Sequence, residues 1–134
     1  MERAGYSKTP LPKKLGIAEG SVVALVGAPE DFAQVLGALP PGAKLRSSGR
    51  GARDLTLVFV HGLREIERRW DRLAADRAVA DVWIVWAKKA SPLHTGVTET
   101  LVREAGLERG FVDFKVAAID ENWSGLRFKR RSSA

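Results

Sequence analysis

The sequence predicts an α/β fold: a three-layer Rossmann-like sandwich with a mainly parallel sheet and a C-terminal antiparallel hairpin. Three observations carry this reading. The runs Val22–Val26, Leu55–Val60 and Val82–Ala87 are apolar on both faces, as strands buried between two helical layers must be. Segments with helical spacing of apolar residues separate those runs. The last two strand-like runs, Phe111–Ile119 and Leu126–Arg130, are joined only by 120–125, too short for a parallel crossover.

Each element follows from local chemistry. Pro10 and Pro12 bias their neighbours away from helix, so 1–14 is expected to be an extended basic arm, with 15–134 a single domain. After the first strand, Ala28-Pro29-Glu30-Asp31 has the proline and acids of a helix start. Phe32, Val35, Leu36 and Leu39 form that helix's apolar stripe, and Pro40-Pro41-Gly42 ends it. Ala43–Arg46 is a short second strand, and Ser47–Arg53 a polar loop. Leu55–Val60 is the third strand, closed by His61-Gly62. Leu63–Arg77 is an amphipathic helix with Leu63, Ile66, Trp70 and Leu73 on one stripe. Val82–Ala87 is the fourth strand, and a helix over Thr98–Ala105 is expected to stop at Gly106. The fifth strand turns at Asp120-Glu121-Asn122-Trp123-Ser124-Gly125 into the sixth. There Asp113 and Lys115 are candidates for pairing with each other or with Arg127 or Lys129, and the Leu126–Arg130 strand is a candidate free edge.

Composition bounds the function. The chain has 134 residues, 45% hydrophobic and 28% charged, a globular balance sized for one core. It has no cysteine, which excludes disulfides, thiolate metal sites and cysteine nucleophiles and fits a reducing cytoplasm. The polar opening segment has no apolar stretch of the signal-peptide kind. The run Val79–Ala87, broken by Asp81, is far shorter than a membrane span. A cytoplasmic protein without membrane contact is therefore expected. The net charge of +6 is concentrated at the ends, in Arg3, Lys8, Lys13 and Lys14 and again in Arg127, Lys129, Arg130 and Arg131. Such ends suit phosphate backbones.

Parallel sheets bind ligands beyond the carboxyl ends of their strands, where strand order switches. That rule nominates Gly27 after the first strand, His61 after the third, and Lys88, Lys89 and Ser91 after the fourth, with Trp123 in the last turn. The lysines beside a hydroxyl suit a carboxylate or phosphate, although such a pair is also an ordinary solvated strand end. His61 is a candidate general base but has no acidic orienter adjacent in sequence. Val26-Gly27-Ala28-Pro29-Glu30 carries a single glycine and an acid, unlike a glycine-rich phosphate loop. His61 and His94 lack a carboxylate cluster, so neither a metal nor a cofactor is expected.

Two resemblances extend this reading. The opening Gly5-Tyr6-Ser7-Lys8-Thr9-Pro10-Leu11-Pro12-Lys13-Lys14-Leu15-Gly16-Ile17 resembles that of a bacterial family of domains of unknown function common in actinobacteria. The similarity continues in Val26-Gly27-Ala28-Pro29, in Trp86-Ala87-Lys88-Lys89-Ala90-Ser91 and in Val112-Asp113-Phe114-Lys115-Val116. It closes with Ile119-Asp120-Glu121-Asn122-Trp123-Ser124-Gly125-Leu126-Arg127-Phe128. Ala87 departs from it where members often carry proline, and Gly96 where an acid is frequent. This family implies no particular activity. Separately, the back half resembles the second half of a class I methyltransferase fold: a strand, a helix ending Arg103-Glu104-Ala105-Gly106-Leu107, a strand and an antiparallel last strand. The front half lacks that fold's glycine-rich cofactor loop and an acidic end to its second strand.

The function expected from the sequence is a non-catalytic binding or regulatory module, engaging a protein or an anionic small ligand at the rim. The alternatives are nucleic-acid binding through the basic ends and an enzyme with a degenerate methyltransferase-like fold.

Overall fold

The computed structural model describes residues 9–47 and 51–131. The strands are β1 (Val22–Val26), β2 (Lys44–Arg46), β3 (Leu55–Val60), β4 (Asp81–Ala87), β5 (Phe111–Ala118) and β6 (Trp123–Arg130). They form one six-stranded sheet in the order β2-β1-β3-β4-β6-β5. The pairs among β1 to β4 are parallel, whereas β6 runs antiparallel to both β4 and β5. The helices are α1 (Leu11–Leu15), α2 (Phe32–Leu36), α3 (Leu63–Ala75) and α4 (Glu99–Glu108).

Two cores explain the apolar strands. On one face, Ile66, Trp70 and Leu73 of α3 and Val102 and Ala105 of α4 pack on Val58, Val60, Val82, Ile84, Phe111, Leu126 and Phe128. On the other, Leu15 and Ile17 beside α1 and Phe32 and Leu36 of α2 cover Leu57, Phe59, Trp83 and Val85. Consecutive strand residues thus serve opposite cores, which is why β3 is buried along its whole length.

Several boundaries differ from the sequence expectation. Residues 11–14 are not extended: Pro12 sits in the first turn of α1, where a missing N–H costs nothing. Trp83 Nε1 donates to the Leu15 carbonyl at 2.8 Å and docks this helix on the sheet. The rest of the expected arm, 1–8, lies outside the described residues, as does 48–50 of the polar loop. The second helix starts only at Phe32 and ends at Leu36, because Gly37 leaves helical geometry; Leu39 still packs on the core from the following loop. Gly106 does not stop α4. It is buried inside the helix, where a Cβ would lie 2.7 Å from Trp70 Cζ2 and 2.9 Å from Phe128 Cε2. Close contact with Trp70 of α3 and Phe128 of β6, not capping, requires that glycine.

The hairpin also differs in detail. β6 begins at Trp123 and lies between β4 and β5, so β5, not the Leu126–Arg130 strand, is the edge on this side of the sheet. A register shift between Asp113 and Lys115 sends these residues to opposite faces. Asp113 meets Arg103 of α4 at 3.0 Å, and Lys115 Nζ donates to the Lys14 carbonyl at 2.8 Å. Half of the basic C-terminal stretch is likewise used internally. Arg127 clamps Asp81 through both carboxylate oxygens, and the Arg130 guanidinium donates to the carbonyls of Leu73, Asp76 and Val79 where α3 ends.

Candidate functional site

The carboxyl ends of β1, β3, β4 and β5 and the start of β6 share one rim. Strand order reverses between β1 and β3, so the crevice expected for a Rossmann-like sheet lies between Gly27 and His61. Here that crevice is bridged. His61 Nε2 lies 2.6 Å from the Gly27 carbonyl oxygen. A carbonyl only accepts, so Nε2 is the donor in this contact. Gly27 has φ +69, and a Cβ there would lie 3.0 Å from Arg69 Nη2 and 3.2 Å from the Phe59 carbonyl. The glycine is thus required by the turn and by the protein's own atoms packed against it.

Sequence reasoning missed Glu65 and Arg69 because they lie a helical turn and more beyond His61. The Glu65 carboxylate accepts from the His61 backbone N–H at 3.3 Å and sits 3.6 Å from Arg69 Nε. An acid therefore does stand beside His61, but it holds the backbone at the entry to α3 and not the imidazole.

One strand further along, the rim opens. A cleft of about 290 Å³ is lined by Val60, His61, Ala87, Leu93, Thr95 and Trp123. His61 is exposed at its mouth, and its ring stands perpendicular to Trp123 with centroids 5.8 Å apart. Phe59 backs both, 5.2 Å from Trp123 and 6.4 Å from His61.

A short polar network fixes this geometry. Asp120 Oδ1 accepts from the N–H groups of both Asn122 and Trp123 at 2.8 Å, which closes the turn and starts β6 at the indole. The Asn122 carbonyl accepts from Lys88 N–H at 2.8 Å, and its side-chain oxygen accepts from Ser91 Oγ at 2.9 Å. Ser91 Oγ in turn accepts from Leu93 N–H at 3.0 Å, so the loop delivering Leu93 and Thr95 is tied to the turn delivering Trp123. His94 Nδ1 lies 3.2 Å from the Ala87 carbonyl and pins the same loop. The run Asp120-Glu121-Asn122 was the available signal, since an acid two residues before an amide is a side-chain-closed turn.

The six nominated residues therefore separate. His61 and Trp123 line the cleft, Gly27 holds His61 from the side, and Ser91 is a buried positioning hydroxyl. Lys88 and Lys89 do not line it. Lys88 instead acts on Lys14 across the rim: burial first, then the charges of Lys88 and Lys115, hold the Lys14 ammonium below its usual range. No group of three or more metal-ligating side chains occurs among the described residues, and none of their helices is long and apolar enough to cross a membrane.

Sheet order, antiparallel β6 and a carboxyl rim define the class of this chain: a Rossmann-like α/β domain. Solved structures with this fold include several methyltransferases. A SAM-dependent methyltransferase from Aquifex aeolicus superposes with a TM-score of 0.60 at 15% identity, over 87% of this chain and 85% of that one. A putative type 11 methyltransferase from Sulfolobus solfataricus gives 0.57 at 13% identity, over 92% and 90%. A protein of the NADB-Rossmann superfamily from Streptococcus agalactiae gives 0.59 at 10% identity, over 98% and 72%. At these identities the likeness is one of fold. No family model and no curated protein matches the sequence.

Proposed function

We propose that this chain is a binding domain on a methyltransferase-type sheet, taking a small planar ligand in the cleft between His61 and Trp123 and transferring no methyl group. The observation carrying this reading is the shift of the open site. The β1–β3 crevice is filled by the protein's own contacts, while an aromatic-walled cleft opens over β3, β4 and β6. A nearly apolar wall with an imidazole, an indole and the Thr95 hydroxyl suits a neutral heteroaromatic group, with polar contacts to fix its orientation. No lysine or arginine contributes to that wall, which favours a neutral ligand over an anion.

The methyl donor of the structural neighbours, S-adenosylmethionine, does not fit the turn after β1. Gly27 is packed against Arg69 and Phe59 and tied to His61, leaving no glycine-lined approach to the backbone. β2 ends at Arg46, and the sequence that follows, 47–53, holds no acid to receive ribose hydroxyls at that strand end. No family model supports the resemblance to bacterial domains of unknown function, so it adds neither an activity nor a ligand.

Two-dimensional ¹H–¹⁵N NMR tests this reading with indole and adenine as planar probes. The expected result is saturable movement of the Trp123 indole signal and of Thr95, lost in His61→Ala and retained in Lys89→Gln. Absence of saturable shifts with either probe, or equal shifts in His61→Ala, overturns it.

A further inference from the structure

The two faces of the β5–β6 hairpin are covered unequally. Toward α4, Phe111, Leu126 and Phe128 enter the core. Toward the α1 side, α1 ends at Leu15, and none of the described helices lies over the outer part of the hairpin. The residues presented there are aromatic and cationic. Lys115 opposes Arg127, and Val112 opposes Lys129, so these side chains share one face. The register shift after Asp113 brings Phe114 onto that face as well, 49% exposed. Its ring centroid lies 5.2 Å from Arg127 Cζ and 5.5 Å from Lys129 Nζ.

α1 extends this surface. Lys14 Nζ donates to the Ala118 carbonyl at 2.8 Å, and its backbone carbonyl receives Lys115 Nζ. These bonds place Lys14 beside the C-terminal half of β5. The acid on this side, Asp81, is held bidentately by Arg127 and lies opposite Lys129 in the strand register. The surface is therefore cationic along the strand, with one half-exposed ring among the charges.

We propose that this open hairpin face binds single-stranded nucleic acid, with Phe114 as the platform for one base and Lys14, Lys115 and Lys129 as phosphate contacts. The chemistry selects that partner. Every base offers a π-face, and a ring flanked by cations can stack a base while neutralising its phosphates. Duplex DNA keeps its base faces stacked inside and cannot use the ring. The acidic side chains of a peptide offer no aromatic face to stack on the ring. This proposal places binding on α1 and the β5–β6 hairpin, and it does not rest on the cleft reading.

The test is fluorescence polarisation of the full chain with labelled oligo-uridine and oligo-deoxythymidine of about 16 nucleotides, the upper footprint of a single-strand module. Measurements at roughly 50 and 200 mM salt give the slope of affinity against ionic strength. Phe114→Ala should weaken binding about tenfold, and Phe114→Trp should restore it. Lys115→Gln/Lys129→Gln should reduce the salt slope by about 1.4, one lost phosphate contact for each lysine. Circular dichroism shows whether each variant is folded. Heparin is the control polyanion without bases, and its affinity should be unchanged by Phe114→Ala. No binding at low salt overturns the proposal. So does binding indifferent to Phe114, or an equal loss for heparin, since either would assign the interaction to positive charge without base stacking.

Discussion

Along one rim, adjacent strand ends are treated in opposite ways. Between β1 and β3 the protein closes its own crevice with His61, Gly27 and Arg69. Over β3, β4 and β6, only one strand spacing away, it builds a cleft and stiffens the walls with the Asp120, Asn122 and Ser91 bonds. His61 belongs to both regions: one nitrogen is spent on closing the first, while its ring lines the second. The lesson is that a shared sheet order fixes where a site can be, and the turn chemistry decides which position along the rim is used. Fold likeness to methyltransferases is therefore not by itself evidence for their cofactor site.

The contrast can be broken by substitution. The largest effect is expected at the open region. Trp123→Ala removes a buried indole packed on Phe59 and His61 and should cost about 3–5 kcal/mol, read as a lower urea midpoint. At the closed region, Gly27→Ala forces a Cβ onto φ +69 against Arg69 and the Phe59 carbonyl, and about 1–3 kcal/mol is expected. Arg69→Ala in the same background should recover only part of this, because the backbone strain persists. A neutral Gly27→Ala would mean that the turn has free space, contrary to a self-filled crevice. Between them, Ser91→Ala unties the loop from the hairpin turn. It should cost about 1–2 kcal/mol and increase hydrogen exchange at Leu93, with Gly27 unaffected.

The smallest expected effect lies at the opposite end of the sheet and serves as a control. The Arg53 guanidinium, then the Ala78 N–H, hold the Asp76 carboxyl below its ordinary value of 3.8. A lowered folded value adds stability above the unfolded value, and this is lost as pH falls through the folded one. Asp76→Asn should therefore be less stable than the parent at neutral pH, with the difference vanishing in acid. Urea midpoints at both pH values check this, and neither rim region should respond.

Much of the architecture was legible because burial on both faces leaves a plain apolar signature. Leu55–Val60 matches β3 residue for residue, and Leu63–Ala75 differs from its expected helix only at the last turn. The rest depended on contacts that no local pattern contains. Pro12 reads as a helix breaker until it is seen to occupy a first turn, and Gly106 as a helix stop until Trp70 and Phe128 are found against it. Placement of β6 beside β4 required knowledge of which neighbour the returning strand would meet. For the site, the rim rule brought out His61 and Trp123, which do converge. It could not separate Lys88 and Lys89 from them, because a loop's direction is set by bonds such as Asn122 to Ser91. Leu93 and Thr95 carried no sequence signal at all.

The most direct measurement compares the two rim regions in one experiment: ¹H–¹⁵N NMR of the intact chain titrated with S-adenosylhomocysteine and, separately, with indole. A self-filled crevice beside an open cleft requires indole to move Trp123 and Thr95 saturably, while S-adenosylhomocysteine leaves the Gly27 and Ala28 amides in place. Saturable one-to-one movement of Gly27 and Ala28 by S-adenosylhomocysteine, with Trp123 unmoved by indole, would contradict it.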